Sequence, residues 1–302
     1  VFYFLLMKKS NFLITFLSVI LSYCNNVDLK KNFESCDNNA NAQSIVHDKI
    51  IREYLIHVPG SYDVKSAVPL MINLHGFGET ATDYMKKADM RTIADSKNFI
   101  LVYPQGSCFD GSSHWNPCPI VGDNKSTTDD LGFIQAIINE VSSNYNIAKD
   151  RIYAVGYSNG GMMAYGLANH KSDLIAGIAC ISGVMLDCIG PTSHSMPILH
   201  LHGTTDYDLP YEGSNEYSSV QNTLEYWINF NNTLTIPIFE VDNSGAIPIE
   251  HYIYGNGDNS VSVEHYKYIG GDHVWFSSTY RGLSTGELVW NFLSKFSING
   301  KL

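Results

Sequence analysis

The sequence predicts an α/β protein with one mostly parallel central sheet that is covered by helices on both faces. Short apolar runs alternate with helix-like segments from about residue 47 onward, and the apolar runs are nearly continuous. The length of 302 residues and the hydrophobic content of 44% fit one such domain better than two. Ligands of open sheets of this kind bind at the carboxyl ends of the strands.

The predicted elements follow one another in a regular order along the chain. Apolar and β-branched runs predict strands over residues 52–58, 69–74, 99–103, 151–155, 175–181, 197–201, 248–254 and 260–269. Helical periodicity predicts helices over residues 80–96, 128–146, 160–169, 217–230 and 285–296. We therefore expect functional residues in the loops after Leu74, Val155, Leu201 and Ile269.

The first residues indicate export. Met7–Lys9 precedes the apolar run 12–21, as in a secretory signal peptide, and the run is too short to span a bilayer. Cys24 ends a segment that resembles a lipoprotein box, which makes it a candidate lipid anchor, whereas Ala40–Ala42 offers a second cleavage site. We expect a secreted protein, extracellular or periplasmic, with the true start at Met7. The organisation is then a signal peptide or lipoprotein leader over residues 1–23, a flexible linker over 24–45 and the catalytic α/β domain over 46–302.

The net charge of −11 argues against a nucleic-acid partner, because an acidic chain without a basic stripe is repelled by phosphate backbones. The six cysteines of an exported protein favour disulfides. Cys108 and Cys118 flank a short loop, and we expect them to be bonded to each other. Cys180 lies in an apolar run and is either a buried small hydrophobe or a partner of Cys188.

A candidate nucleophile lies between a predicted strand and a predicted helix. Residues Gly156–Gly160 read Gly-Tyr-Ser-Asn-Gly. A serine on so tight a turn is held in a strained backbone conformation with its hydroxyl above the sheet, and the glycines leave room where strand and helix approach. The pentapeptide alone is common, but its position between Ile152–Val155 and Met162–Ala164 points to Ser158 as a nucleophile.

A serine hydroxyl needs an adjacent base that is oriented by a carboxylate. Asp206 and Asp208 both follow the strand 197–201, and spacing alone does not choose between them. His273 follows the last strand in a glycine-containing loop and is the candidate base. The chain order serine, aspartate, histidine agrees with a nucleophile elbow.

The other histidines in strands are better explained as structural residues. His251 and His265 lie in the middle of predicted strands. His200 and His202 share one strand face, but no third ligand is near in the sequence, so we expect no metal site.

The loop His75–Gly78 supplies the fourth element of the predicted site. An ester hydrolase must stabilise a tetrahedral oxyanion with fixed N–H donors. By itself the loop could be a simple tight turn, but together with the serine it predicts an oxyanion hole. The donors would be the backbone N–H groups of Asn159 and Phe77.

Four segments resemble those of the feruloyl esterase and polyhydroxybutyrate depolymerase-like esterases, which have the α/β-hydrolase fold. The segments are His75–Gly78, Gly156–Met162, Leu201–Asp206 and Gly270–Trp275, and the likeness runs from about Ile51 to the end of the chain. The resemblance implies Asp206 as the triad aspartate and His273 as the base. The sequence departs from the family pattern at Phe276 and over Asn231–Thr233, so family disulfides are not carried over.

The resemblance implies a secreted serine carboxylic ester hydrolase that needs no cofactor and acts on polymer-borne or aryl esters, such as feruloyl or acetyl esters of plant polysaccharide. A polyhydroxybutyrate-type polyester depolymerase is the first alternative. A serine peptidase on the same fold and a non-catalytic surface-binding protein are further alternatives. The first two hypotheses share an ester substrate as the partner.

The segment 182–197 is short and rich in Gly, Pro and Ser, so we expect no large lid domain and an open, shallow cleft. Aromatic residues in loops near the catalytic edge would line its rim, although some of them, Trp275 first, could belong to the core. The candidate cleft residues are Phe77, Trp115, Tyr157, Tyr211 and Trp275.

Overall fold

The computed structural model describes residues 36, 41–119 and 124–302. The predicted leader over residues 1–23, the start at Met7 and the candidate anchor Cys24 lie outside the described residues. No helix in the described part of the chain is both long and apolar enough to cross a membrane.

The strands and helices alternate as the apolar pattern predicts. The helices are α1 (Ala81–Lys87), α2 (Arg91–Lys97), α3 (Asp130–Asn144), α4 (Asn159–His170), α5 (Val220–Phe230) and α6 (Thr285–Leu293). The strands are β1 (Gln43–His47), β2 (Ile50–His57), β3 (Val68–Leu74), β4 (Ile100–Pro104), β5 (Ser107–Phe109), β6 (Ser112–His114), β7 (Ile147–Tyr157), β8 (Gly177–Ile181), β9 (Ile198–Gly203), β10 (Ile238–Asp242), β11 (Ile249–Tyr254), β12 (Val263–Tyr268), β13 (Phe296–Ser297) and β14 (Gly300–Lys301).

Within the described residues, ten strands form one sheet in the order β1-β2-β4-β3-β7-β8-β9-β12-β11-β10. The six central strands, from β4 to β12, are parallel, and antiparallel strands extend the sheet at both edges. This confirms the predicted fold class. The order reverses at β3, so the loops after β3 and β7 meet at one edge of the sheet, where ligands of such sheets bind.

The helices cover both faces of the sheet. Side chains of α3, α4 and α5, such as Phe133, Met163 and Trp227, pack in one buried cluster. Side chains of α1, α2 and α6, such as Tyr84 and Val289, pack in a second cluster. The segment 182–197 contains neither helix nor strand, in agreement with the absence of a lid domain.

The single helix predicted over residues 80–96 is divided into α1 and α2. The Tyr103 hydroxyl holds the break, because it donates to the Ala88 carbonyl at 2.7 Å and accepts from the Met90 N–H at 3.2 Å. These contacts satisfy backbone groups that a continuous helix would have paired internally. The hydrophobic periodicity of residues 80–96 does not reveal this break, because Tyr103 lies 13 residues after Met90 in the chain.

The prediction of a disulfide between Cys108 and Cys118 is wrong. Cys108 is bonded to Cys36, and Cys118 is bonded to Cys188. Cys108 lies in the hairpin of β5 and β6, opposite Ser113, and Cys118 lies beyond that hairpin, so the short sequence spacing does not bring the two together.

Cys180 is a buried free thiol and does not pair with Cys188. It packs between α4 and the chain after β8, where a Cβ atom added at Gly161 or at Gly183 would lie 2.7 Å from its sulfur. The reading of Cys180 as a small buried hydrophobe is thereby confirmed. Part of the predicted linker joins the folded framework, since β1 begins at Gln43 and Cys36 is crosslinked.

Candidate active site

Ser158 lies on the turn between β7 and α4. Its backbone has φ 55° and ψ −120°, a positive-φ conformation that non-glycine residues seldom adopt. Two glycines make the turn sterically possible. A Cβ atom at Gly156 would lie 2.0 Å from the Gly160 carbonyl oxygen, and one at Gly160 would lie 2.2 Å from that of Leu74.

The structure brings Ser158, His273 and Asp206 into one hydrogen-bonded line. His273 Nδ1 lies 2.8 Å from Asp206 Oδ2, and His273 Nε2 lies 2.9 Å from Ser158 Oγ. A carboxylate oxygen only accepts, so Nδ1 carries the proton and Nε2 is free to accept the serine proton. Asp208 is exposed, and its backbone N–H donates to Asp206 Oδ1 at 3.0 Å. Of the two aspartates that the sequence offered, Asp206 therefore faces the histidine.

The loop that carries His273 is held by two side-chain hydrogen bonds to its backbone. The Tyr157 hydroxyl donates to the His273 carbonyl oxygen at 3.0 Å, and Ser182 Oγ donates to the Val274 carbonyl oxygen at 3.0 Å. Both donors are fixed at the ends of central strands, β7 and β8, which gives the imidazole a rigid support.

Asp206 is buried and ionised. Burial alone would raise its pKa, but hydrogen bonds from His202, His273 and the Leu209 N–H outweigh this effect and hold the pKa well below its usual value. The Leu209 N–H donates to Oδ1 at 2.8 Å. A charged aspartate is thus present to orient the His273 ring and to stabilise its protonated form.

The loop after β3 lines the same cleft as Ser158. Gly76 N–H donates to Glu79 Oε2 at 2.9 Å, and Gly78 N–H donates to the Ser113 carbonyl oxygen at 2.8 Å. The Phe77 N–H between them has no acceptor among the described residues. Asn159 is the first residue of α4, so its N–H has no acceptor within the helix. These two N–H groups are the ones that the sequence predicts as oxyanion donors.

Three buried side chains support this backbone from behind. Trp115 Nε1 donates to the His75 carbonyl oxygen at 3.0 Å. The Asn159 side chain accepts from the Trp115 N–H at 2.7 Å and donates to the Trp115 carbonyl oxygen at 3.1 Å. His75 Nε2 accepts from the Gly106 N–H at 2.9 Å, and burial lowers the pKa of His75 to about 4, so the ring stays neutral. The scaffold fixes both proposed donor peptides.

A cleft of about 370 Å³ opens over Ser158 and His273. Phe77 and Tyr157 line it, as predicted, and Phe77 is half exposed. Six other residues line the cleft that were not predicted to do so, although Asp208 was considered for the triad and Met162 belongs to the serine segment. They are Glu79, Lys125, Met162, Asp208, Leu209 and Tyr217.

Three aromatic residues that were expected at the rim lie elsewhere. Trp115 is fully buried, because its indole N–H and its peptide groups hold His75 and Asn159. Tyr211 is buried, with its hydroxyl 2.9 Å from His265 Nε2. Trp275 is half-buried and packs edge-on against Tyr84, with 6.0 Å between ring centroids. The rim is therefore less aromatic than the sequence predicts.

The sheet, the serine elbow and the aligned histidine and aspartate define a serine hydrolase of the α/β-hydrolase fold. The sequence model of the phospholipase/carboxylesterase family matches residues 63–236. The chain belongs to this family.

The chain is 32% identical over 157 residues to a bifunctional acetylxylan esterase/xylanase of Neocallimastix patriciarum, over 52% of this chain and 22% of that protein. It is 32% identical over 152 residues to feruloyl esterase B of Neurospora crassa, over 49% of each chain. The matches thus span about a fifth to a half of the length of these relatives. Among solved structures, an acetyl xylan esterase from Aspergillus awamori has the same fold, with a TM-score of 0.62 and 15% identity over 84% of this chain and 98% of that one.

Proposed function

We propose that this chain hydrolyses carboxylic esters of aryl or short acyl groups that are borne on polysaccharide, through an acyl-enzyme on Ser158. The observation that carries the proposal is the line of hydrogen bonds Ser158–His273–Asp206 at the floor of an open cleft. The names of the relatives, acetylxylan esterase and feruloyl esterase, support the same substrate class.

In the proposed mechanism Ser158 Oγ attacks the ester carbonyl carbon while its proton passes to His273 Nε2. The carbonyl oxygen becomes an oxyanion that accepts hydrogen bonds from the N–H groups of Asn159 and Phe77. His273 then donates its Nε2 proton to the departing alcohol oxygen, which leaves an acyl group on Ser158. A water molecule, deprotonated by the same nitrogen, attacks the acyl carbonyl carbon. The bond to Ser158 Oγ then breaks as His273 Nε2–H returns its proton to that oxygen, and the carboxylic acid leaves.

The lining of the cleft supports a flat or short acyl group. Phe77, Tyr157 and Met162 supply apolar and aromatic surface beside the serine. Glu79 and Lys125 also line the cleft, and Glu79 is paired with Lys87 at 2.8 Å, so part of the lining is charged rather than apolar. A long aliphatic acyl chain would have to leave the apolar part of the cleft and desolvate these charges.

A second hollow, of about 310 Å³, supports a hydroxylated alcohol part. It shares Tyr217 with the cleft over Ser158 and is lined by carboxylate, hydroxyl and amide groups, including Glu212, Glu216 and Asn222. Such groups exchange hydrogen bonds with sugar hydroxyls, and the Tyr217 ring offers a face on which a pyranose can stack.

Export is part of the proposal. It rests on the charged start and apolar run of the first residues and on the two disulfides, which form and persist in oxidising compartments. The substrate class is consistent with an enzyme that meets plant polymers outside the cell.

The test compares esters with one acyl group and alcohols of increasing size: methyl ferulate, a feruloylated xylo-oligosaccharide, methyl acetate and an acetylated xylo-oligosaccharide. We expect kcat/KM to stay within about threefold when the alcohol grows from methyl to oligosaccharide, because the bulk lies in the open hollow. Hydroxybutyrate oligomers should react at least about tenfold more slowly, and an aminoacyl amide should not react measurably.

The matched variant is Tyr217→Ala. It should lower kcat/KM about tenfold for the oligosaccharide esters, which lose a stacking surface, and leave that for the methyl esters within about twofold. A steep loss of kcat/KM with alcohol size in the wild-type enzyme, or faster turnover of hydroxybutyrate oligomers, would reject the polysaccharide assignment.

A further inference from the structure

Behind Asp206, on the side away from His273, a line of buried side chains continues into the protein. The Tyr165 hydroxyl lies 2.7 Å from His200 Nδ1, and His200 Nε2 lies 3.1 Å from His202 Nδ1. His202 Nε2 lies 3.2 Å from Asp206 Oδ2 and 2.8 Å from the Leu209 carbonyl oxygen. With Asp206, these three side chains, Tyr165, His200 and His202, are buried.

The hydrogen-bonding partners fix the direction of every proton along this line. His202 Nε2 faces two oxygens that only accept, so it carries a proton. In the neutral ring Nδ1 then accepts, and its donor is His200 Nε2–H. His200 Nδ1 in turn accepts from the Tyr165 hydroxyl, for which the described residues offer no other acceptor. All donors therefore point toward the carboxylate, and no imidazole needs a charge.

The surroundings of His200 favour its neutral ring. Burial, together with the neighbouring His202 and His265, lowers the pKa of His200 well below its usual value. His265 lies beside His200 on β12, donates from Nδ1 to the His200 carbonyl oxygen at 2.9 Å and accepts from the Tyr211 hydroxyl. His265 thus resembles His202 in burial and chemistry, but its hydrogen bonds go to His200 and Tyr211 and none of them reaches Asp206.

We propose that His202 is a positioning residue for the reaction and that Tyr165 and His200 hold it in the tautomer that donates to Asp206. The proposal rests on the proposed function of Ser158, His273 and Asp206. Backbone N–H groups of Asp208 and Leu209 hold only Oδ1 of the carboxylate. The His202 Nε2–H is shared between the Leu209 carbonyl oxygen at 2.8 Å and Oδ2, the oxygen bonded to His273, at 3.2 Å, and so adds a donor that opposes rotation of the carboxylate about the Cβ–Cγ bond.

The consequence for catalysis is geometric. Asp206 must accept from His273 Nδ1–H in the plane of the imidazole if Nε2 is to point at Ser158. A displacement of about 1 Å in such a group can cost about a hundredfold in rate. A donor that is itself fixed by two further buried hydrogen bonds keeps this geometry at each turnover.

The experiment measures kcat and KM for an ester of a small alcohol in His202→Leu and His202→Gln. In His202→Leu, which lacks the donor, kcat should fall about 10- to 100-fold with KM within about twofold, because the triad acts on the chemical steps. The amide nitrogen of glutamine reaches the place of Nε2, so His202→Gln should restore kcat to within about fivefold of wild type.

The control is His265→Leu, which removes an equally buried imidazole from the neighbouring strand. It should lower the melting temperature as His202→Leu does but keep kcat within about twofold. If His202→Leu does not fold, Tyr165→Phe decides, since it removes one oxygen at the far end of the line. It should lower kcat about two- to fivefold at constant KM, and in a folded His202→Leu background it should have no further effect.

Wild-type kcat in both His202→Leu and Tyr165→Phe would overturn the proposal, as would an equal loss of kcat in His265→Leu or a failure of His202→Gln to recover. Ser158→Ala, assayed in parallel, separates this from the proposed function. Inactive Ser158→Ala with fully active His202 variants removes only the positioning role, whereas active Ser158→Ala removes both.

Discussion

Ser158 combines a positive-φ backbone with a hydroxyl that is hydrogen-bonded to an imidazole. The first stores strain, and the surrounding structure must over-determine it. The glycines at 156 and 160 and the start of α4 do so, which leaves the side chain little freedom to move away from His273.

Ser158→Ala should lower kcat about 10⁴- to 10⁶-fold, because it removes the atom that forms the acyl intermediate. The melting temperature should change little, since only the contact with His273 is lost. Esterase assays on the purified variant, with exposed Ser61→Ala as a control, check this. Turnover near that of wild type would refute Ser158 as the nucleophile.

Asp206→Asn should lower kcat about 10⁴-fold, because an amide that donates to His273 Nδ1 selects the wrong tautomer. Asp208→Asn should cost at least about a hundredfold less, since the Asp208 side chain is exposed and its backbone N–H to Asp206 is kept. Kinetics of both variants on the same ester give the ranking. The reverse order would transfer the role to Asp208.

Among the strands, helices and turns, the sequence best predicts those whose conformation depends on residues close together in the chain. Strand β3 is a run of seven buried residues, and the elbow is readable because only glycine fits at positions 156 and 160. The division between α1 and α2 depends on Tyr103, and the burial of Trp115 and Tyr211 depends on His75 and His265, which lie 40 and 54 residues away. An aromatic ring in a loop can lie at the rim of a cleft or in the core. Only contacts with residues that are distant in sequence determine whether it is exposed or buried.

The disulfides follow the same rule, because spacing in sequence does not fix connectivity. Peptide mapping under non-reducing conditions should find Cys36–Cys108 and Cys118–Cys188. Cys180 should resist alkylation in the folded protein, since it is buried and burial raises the pKa of its thiol above the usual range. A bond between Cys108 and Cys118 in the native protein would contradict the structure.

Breaking the crosslink between the Trp115 loop and the segment 182–197, in a double Cys118→Ser and Cys188→Ser variant, should lower the free energy of unfolding by about 2–4 kcal/mol. The reason is the entropy that an unfolded chain of this loop length regains. Urea titrations of both proteins measure the difference. A variant as stable as wild type would show that the loop is held by its other contacts.

For the molecule as a whole, buried histidines make stability depend on pH. Burial lowers the pKa of His75 to about 4 and that of His265 to about 3, while an unfolded histidine titrates near 6.5. Below pH ~6.5 the unfolded chain therefore binds more protons than the folded chain. The part of the free energy of unfolding that comes from these neutral histidines is complete above that pH and is lost as the pH falls toward their pKa values in the folded state.

The melting temperature should accordingly decrease between pH 7 and pH 5. In His265→Gln the free energy of unfolding should fall less steeply with decreasing pH than in wild type, because one titrating group is gone. The two slopes should differ by up to about 1.4 kcal/mol per pH unit. Denaturant titrations at several pH values provide both slopes. An unchanged slope in the variant would mean that His265 has the same pKa in the folded and unfolded states.

Trp115 holds His75 and Asn159, and it lies in a span of chain that is crosslinked at both ends, through Cys108 to Cys36 and through Cys118 to Cys188. The span that fixes the proposed oxyanion donors is thus anchored by bonds that depend on the redox state of the surroundings. In a reducing cytosol neither disulfide would form, so the span from Cys108 to Cys118 would be crosslinked at neither end. We expect the kcat of such a molecule to fall before its solubility decreases. Arrival in an oxidising compartment, where the two disulfides form, would then complete the active site.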